Sequence, residues 1–269
     1  MIFSNVYKIA RKEIIHNFYN YWFFLSAFIF CFINFLILYF GDIISGDYSQ
    51  TDIRSLVLSV IHLQMYLISL FSFILSYDSI LSEKETGVLD LILSYRFTFF
   101  EIIIGKLVGN SLIFSLSFIF GFIPIMIYLV FFGIKLIVLF KFILVSIWLN
   151  FVFNSFSLCI SSYSKDRTIV IFLSIFIWIF FIFIYDLLFT LIAIVFHGDI
   201  SSDLISFLLF LNPIEIFRLI SIIFFMPFEA NDLFGVNVGA LKLYYVLISM
   251  FVWFSLSFFF IFLATNNKN

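Results

Sequence analysis

Residues 82–95 read SEKETGVLDLILSY. Glu83, Lys84, Glu85 and Asp90 fall within eight residues, and the chain on both sides is almost unbroken apolar sequence. A charge at the centre of a membrane helix costs about 2.5–3.5 kcal/mol, and an apolar residue there offsets about 0.3–0.6 kcal/mol. Taking Glu like Asp, four charges cost roughly 10 kcal/mol, and the apolar residues of the stretch offset at most about 3 kcal/mol. The stretch therefore stays out of hydrocarbon.

It does not read as a plain polar loop either. Leu81, Val88, Ile92 and Tyr95 share one helical stripe, and Glu83, Thr86, Asp90 and Ser94 share another at spacings of three and four. Gly87 gives a flexible point between a charged first turn and an apolar second one. The pattern predicts a helix over 82–95 that presses one face on membrane helices and offers the other to a cytosolic partner. A solvated connecting loop is the alternative.

The rest of the chain sets the class. Of its 269 residues, 64% are hydrophobic and 11% charged, against about 45–50% and about 25% in soluble domains. This is the composition of an integral membrane protein. The 45 Phe read as lipid-compatible filling rather than an aromatic site. A net charge of −2 gives no footing for nucleic acid. Cys31 and Cys159 sit in apolar runs, with neither the spacing nor the context of a disulfide or a metal knot. No small-residue cleavage site follows the first apolar run, so the N-terminus does not read as a cleavable signal peptide.

A membrane helix needs about 20 mostly apolar residues. Six segments qualify: 22–40, 55–77, 107–132, 142–163, 169–196 and 243–263. A weaker apolar segment, 203–226, is interrupted by LNPIEIFRL with Asn212, Pro213, Glu215 and Arg218. It reads as a pair of helices at, or dipping into, the outer interface, within an outer loop spanning 197–242. With the N-terminus inside, nine Lys and Arg fall on cytoplasmic segments and five on outer ones. That bias puts both termini in the cytoplasm. Residues 1–19 form a separate element. Phe3, Val6, Tyr7, Ala10, Ile14 and Phe18 share one helical face, with Asn5, Lys8, Lys12 and His16 on another, the pattern of an amphipathic helix lying in the interface. The expected fold is thus an all-α integral membrane protein, with six transmembrane helices, an N-terminal interfacial helix and a cytoplasmic coupling helix.

YDSILSEKETGVLDLILSYR, followed by FEIIIGKLVGN, resembles the first cytoplasmic loop of type-2 ABC transporter permeases. The matching positions are Glu83, Glu85, Gly87, Leu89, Leu91, Gly105 and Lys106. IARKE, from Ile9 to Glu13, is similar to the family's N-terminal interfacial helix. LNPIEIFRLI, Leu211 to Ile220, and YDLLFTLI around Asp186 are similar to the branch that serves nitrous-oxide reductase maturation. The resemblance covers about residues 7–263. Gly87-Val88 and Tyr95-Arg96 stand where the family usually has Gly-Thr and Tyr-Pro; without that Pro the coupling helix is expected to run further.

The resemblance implies one permease domain over 1–269, in the bacterial inner membrane, working as a homodimer. It implies separate cytosolic ATPase subunits that carry ATP and magnesium, coupled through Arg11, Lys12, Glu13, Glu83, Glu85, Gly87, Asp90 and Lys106. It further implies a periplasmic β-helical copper-maturation protein, with Asn212, Pro213, Glu215 and Arg218 as an outer docking or gate element. An exporter of another cargo, such as a peptide, drug or lipid, and a scaffold without transport are the alternatives.

The residues limit the chemistry. There is no G-x-x-x-x-G-K-[ST] phosphate loop, so ATP dependence must come from a partner. Soft metal ions want thiolate, thioether or imidazole. Only His62 and Met65 sit a turn apart, and that pair reads as core filling, so neither a metal site nor a copper relay is expected. No catalytic constellation converges. Asn34, Asn150 and Asn154 are expected to bond between helices. Asp186, a rare carboxylate at lipid depth or its edge, is expected either to pack helices or to serve gating.

Overall fold

The computed structural model describes residues 2–19, 21–45, 50–95, 97–195, 207–226 and 243–266. Arg96, Lys268 and most of the expected outer loop (197–206 and 227–242) lie outside the described residues. Every regular element described is helical. In chain order these are α1 (Ile2–Tyr19), α2 (Trp22–Ser45), α3 (Gln50–Ser76), α4 (Leu81–Glu85) and α5 (Val88–Ser94). α6 (Phe99–Phe131), α7 (Leu136–Tyr163), α8 (Arg167–Ile179), a π-helical turn (Phe180–Ile184), α9 (Tyr185–Val195), α10 (Pro213–Phe225) and α11 (Leu243–Asn266) follow. Five of them, counting α8 to α9 as one rod, are long and apolar enough to cross a membrane. α11 adds a shorter described apolar stretch, Val246–Phe262.

Several helices run beyond the apolar segments they carry. The helix of the third span begins at Phe99, ahead of the apolar segment 107–132, where Thr98 and Glu101 form a reciprocal capping box. Thr98 Oγ1 accepts from the Glu101 N–H at 3.3 Å, and Glu101 Oε2 accepts from the Thr98 N–H at 3.0 Å. The fifth span is interrupted by the π turn. The single helix expected over 82–95 is two short ones. Gly87 takes φ +72 between them, a left-handed conformation that side chains disfavour. Tyr95 closes α5 with its N–H on Ile92 O, so the helix does not run on as expected.

α6 and α7 form the centre. α6 packs against α1 and α2 on one side and α7 on the other; α7 also meets α3, α8, α10 and α11. The main core is built from large rings, with Phe30, Phe114, Phe118, Phe122, Phe142, Phe153 and Phe217 almost wholly buried. Phe30 and Phe118 meet edge to face at 5.4 Å, the arrangement the ring quadrupole favours. α10 lies inside this core, with Ile214, Ile216, Phe217 and Leu219 buried against α3, α7 and α11. A second cluster, including Ile9, Ile80, Leu89, Phe99, Ile103 and Leu107, pins α1 and α5 to the start of α6.

Small polar residues bond across the helices. Asn154 Nδ2 donates to Ser111 Oγ at 2.7 Å, while its Oδ1 accepts from Ser76. Asn150 Nδ2 donates to Ser115 Oγ at 3.1 Å, and Ser72 Oγ donates to Asn150 Oδ1 at 3.0 Å. Asn34 Nδ2 donates to Gly121 O at 2.9 Å, and its Oδ1 accepts from Gln64 at 2.7 Å. Such interhelical bonds contribute about 0.6 kcal/mol each on average in lipid.

The face of α1 that packs shares only Ala10, among its buried residues, with the apolar stripe of the sequence. Ile9, Ala10, Glu13 and Asn17 are buried against α6, while Phe3, Tyr7 and Phe18 are exposed. The reason lies on α6. Lys106 and Asn110 there supply partners for Glu13 and Asn17, so the polar groups can turn inward and the aromatic ones outward.

Candidate functional site

One end of the bundle gathers α1, α4, α5 and the start of α6. Close approach of α1 to α6 makes this possible. A Cβ placed on Gly105 would lie 2.6 Å from Ile9 Cβ, and one on Gly109 would lie 2.7 Å from Glu13 Cβ and 2.9 Å from Ala10 O. Gly105 and Gly109 are four apart, the small-xxx-small spacing that lets helix backbones meet in membranes.

At that contact Lys106 is almost wholly buried, with its side chain 2% exposed. Its Nζ reaches Glu13 Oε1 at 2.7 Å, Glu83 Oε2 at 3.1 Å and the carbonyl of Ser79 at 2.8 Å. Lys12 Nζ reaches the other oxygen of Glu83 at 2.8 Å. Two lysines and two glutamates from α1, α4 and α6 thus close on one another. Burial alone would raise the Glu83 carboxyl; Lys106 and Lys12 outweigh it and hold the group below its ordinary value. Beside this network lies a cavity of about 420 Å³, lined in part by Lys12, His16, Trp22, Asp78, Glu83 and Asn110.

α4 has further ties. Arg167, at the start of α8, pairs with Glu85 at 2.7 Å and reaches Asp78 at 3.5 Å. Lys84 donates to carbonyls at the end of α7. In α5, Leu89 is the buried residue, whereas Leu91 and Tyr95 are exposed, at 62% and 77%. Asp90 and Ser94 are exposed beside them. The predicted stripe of Leu81, Val88, Ile92 and Tyr95 therefore does not hold as one buried face. The turn at Gly87 breaks the helical phase between α4 and α5.

Of the coupling residues expected from sequence, Lys12, Glu13, Glu83 and Lys106 come together in the buried network. Glu85 pairs separately with Arg167. Arg11 and Asp90 are exposed, and Gly87 is the joint. The charges at 83 and 85 are paired within their own chain, Glu83 largely covered and Glu85 still exposed. As site residues, sequence reading passed over Lys84 and Arg167, and it matched Gly105 to the family without pairing it with Gly109. The G-x-x-x-G of GKLVG was the signal for that pairing.

At the other end, Asn212 caps α10 by accepting from Ile214 N–H at 2.9 Å, and Pro213 follows at the first helical position. Glu215 and Arg218 form an ion pair one turn along, in which Glu215 is buried. Asp186 is exposed on α9, near enough for its charge to act on His62, Tyr66 and Glu215. His62 and Met65 do not converge: His62 Nδ1 is bonded to Leu58 O at 2.8 Å, and Met65 is buried in the core.

Comparison with known proteins agrees with this architecture. A family model described as ABC-2 family transporter protein matches residues 7–265. The chain is 31% identical over 246 residues to "Probable ABC transporter permease protein NosY" of Stutzerimonas stutzeri, covering 89% of this chain and 87% of that protein. It is 30% identical over 223 residues to the protein of the same description in Pseudomonas aeruginosa, covering 81% of each. With the match running nearly end to end over a bundle of apolar helices, this chain belongs to the ABC-2 transporter family, as a multi-pass membrane permease similar to NosY.

Proposed function

We propose that the chain is the membrane subunit through which separate cytosolic ATPase subunits, which carry ATP and magnesium, drive an ABC transporter. In this reading it forms a homodimer in a bacterial inner membrane, crosses the bilayer six times, and keeps both termini and α1, α4 and α5 on the cytoplasmic side. α1 lies in the headgroup region with Phe3, Tyr7 and Phe18 toward lipid, the placement that amphipathic helices take. The description of both relatives as NosY supports a role in copper-site maturation of nitrous-oxide reductase, with a β-helical periplasmic partner at the outer face.

The observation that carries this reading is the division of labour between α4 and α5. α4 is engaged on its own chain, while α5 projects Asp90, Leu91, Ser94 and Tyr95 outward. An exposed Leu and Tyr beside a carboxylate form an amphipathic ridge suited to a groove on another protein. ATP-driven closure of the ATPase pair would push on that ridge. The test is co-purification of the ATPase from membranes. Leu91→Asp with Tyr95→Ala should strongly reduce it while membrane accumulation stays normal. Undiminished recovery of the ATPase would overturn the assignment of α5 as its docking element.

A further inference from the structure

Three consecutive residues of α4 are bound by three different parts of the fold. Neighbouring residues on a helix point in different directions and do not face one another. Glu83 turns to Lys12 on α1 and Lys106 on α6, and Glu85 turns to Arg167 at the start of α8. Lys84 takes the remaining direction. Its Nζ donates to the carbonyls of Ser161 at 3.1 Å, Ser162, and Ser164 at 3.3 Å. The backbone N–H of Leu81 donates to Ser161 Oγ at 3.2 Å beside it.

These are the carbonyls at the end of α7. The last four carbonyls of a helix have no partner within it, and they carry its negative pole. One ammonium with three donors meets both needs at once. A carboxylate or an apolar side chain at that position could meet neither. α7 in turn packs against α3, α6, α8, α10 and α11, so whatever moves its end is felt through most of the bundle.

We propose that Lys84 is a positioning residue that fastens α4 to the end of α7, so that the two move as one body when the ATPase displaces α5. This rests on the reading of α5 as the ATPase-docking element. Bending is then confined to the joint at Gly87, on the partner's side of the fastening, and the push is delivered to α7.

The test uses the complete complex with its ATPase, reconstituted in lipid, with Cys31 and Cys159 replaced by Ser. Spin labels go at Thr86→Cys and Tyr163→Cys, both exposed positions. In the otherwise native complex, the distance between labels should be the same without nucleotide and with ATP trapped. Lys84→Met should let that distance shift or broaden on ATP trapping and lower permease-stimulated ATP hydrolysis severalfold, with ATPase recovery unchanged. Lys84→Arg should restore both, since a guanidinium also donates to carbonyls. A distance that changes in the native complex, or a Lys84→Met complex that matches it in distance and rate, overturns the fastening. If Lys84→Met fails to accumulate, the native distance alone decides. A wild-type chain that recovers no ATPase overturns the functional reading on which the proposal rests, whereas the distance and rate outcomes above overturn the fastening alone.

Discussion

Asn212 donates its side-chain amide to the carbonyl of Phe181 at 2.8 Å, and so ties the start of α10 to the π turn between α8 and α9. Its oxygen is meanwhile occupied as the cap of α10. One small side chain therefore joins two elements that are 31 residues apart in sequence. π turns are rare and often sit where a helix does something besides span, and here the interruption has a named contact.

Truncating Asn212 tests how much that junction matters. Asn212→Ala removes the cap, at about 0.5–2 kcal/mol, and leaves the Phe181 carbonyl short of a partner, at about 1–3 kcal/mol if it stays dry. Asn212→Ser keeps a capping oxygen but is too short to reach Phe181. Melting of the detergent-purified chain should rank native above Ser above Ala. Equal melting of Ser and Ala would mean the cap contributes nothing here.

Gly109 of α6 and Gly87, at the joint between α4 and α5, should respond differently to the same change. Gly109→Ala puts a methyl group against the backbone of Ala10 and the stem of Glu13, and overpacking of this kind costs about 1–3 kcal/mol. It should also push α1 off α6 and loosen the Glu13–Lys106 pair. Gly87 meets nothing within 4 Å, so Gly87→Ala is opposed only by its left-handed backbone, at about 1–2 kcal/mol. Protease accessibility of α1 separates the two: it should rise for Gly109→Ala and stay unchanged for Gly87→Ala.

How much of this could be read beforehand depends on which force shaped each part. Apolar runs are long and unambiguous, so the spans are legible, and a charge cluster too costly for lipid marks the segment 82–95. The precise start of α6 was carried by two residues, Thr98 and Glu101, that a hydropathy window averages away. The inward face of α1 was illegible for a different reason. Nothing near Glu13 and Asn17 in the sequence marks them as buried; their partners, Lys106 and Asn110, lie some 93 residues later. The ion pairs of Glu83 and Glu85 were hidden by the same cause, since a sequence shows a charge but not which side of the fold neutralises it.

Acid should act on the network through Glu83. Its carboxyl is held below the ordinary value of 4.5. The stabilisation is therefore complete above that value and is lost as the pH falls through the lower folded one. Thermal melting followed downward from neutral pH should show an acid limb below 4.5 that Glu83→Gln flattens, together with a lower melting temperature at neutral pH. A limb unchanged by the substitution would assign the acid sensitivity to other carboxylates.

Lys106 should be the least tolerant position at this end of the bundle. Its ammonium is the one cation touching Glu13 among the described contacts, and it shares Glu83 with Lys12. Removing one partner from a buried pair typically costs about 3–5 kcal/mol, because the charge left behind is unpaired. Lys106→Met strands Glu13 under α1, where the side chain is only 7% exposed, with a second carboxylate close by. Membrane accumulation of Lys106→Met should fall sharply. Glu13→Gln added to it removes the stranded charge and should recover most of the loss, whereas Glu85→Gln, whose carboxylate pairs with Arg167 in a half-exposed position, should recover none. If Lys106→Met accumulates normally by itself, water reaches the pair and the network is a surface feature, not a buried one.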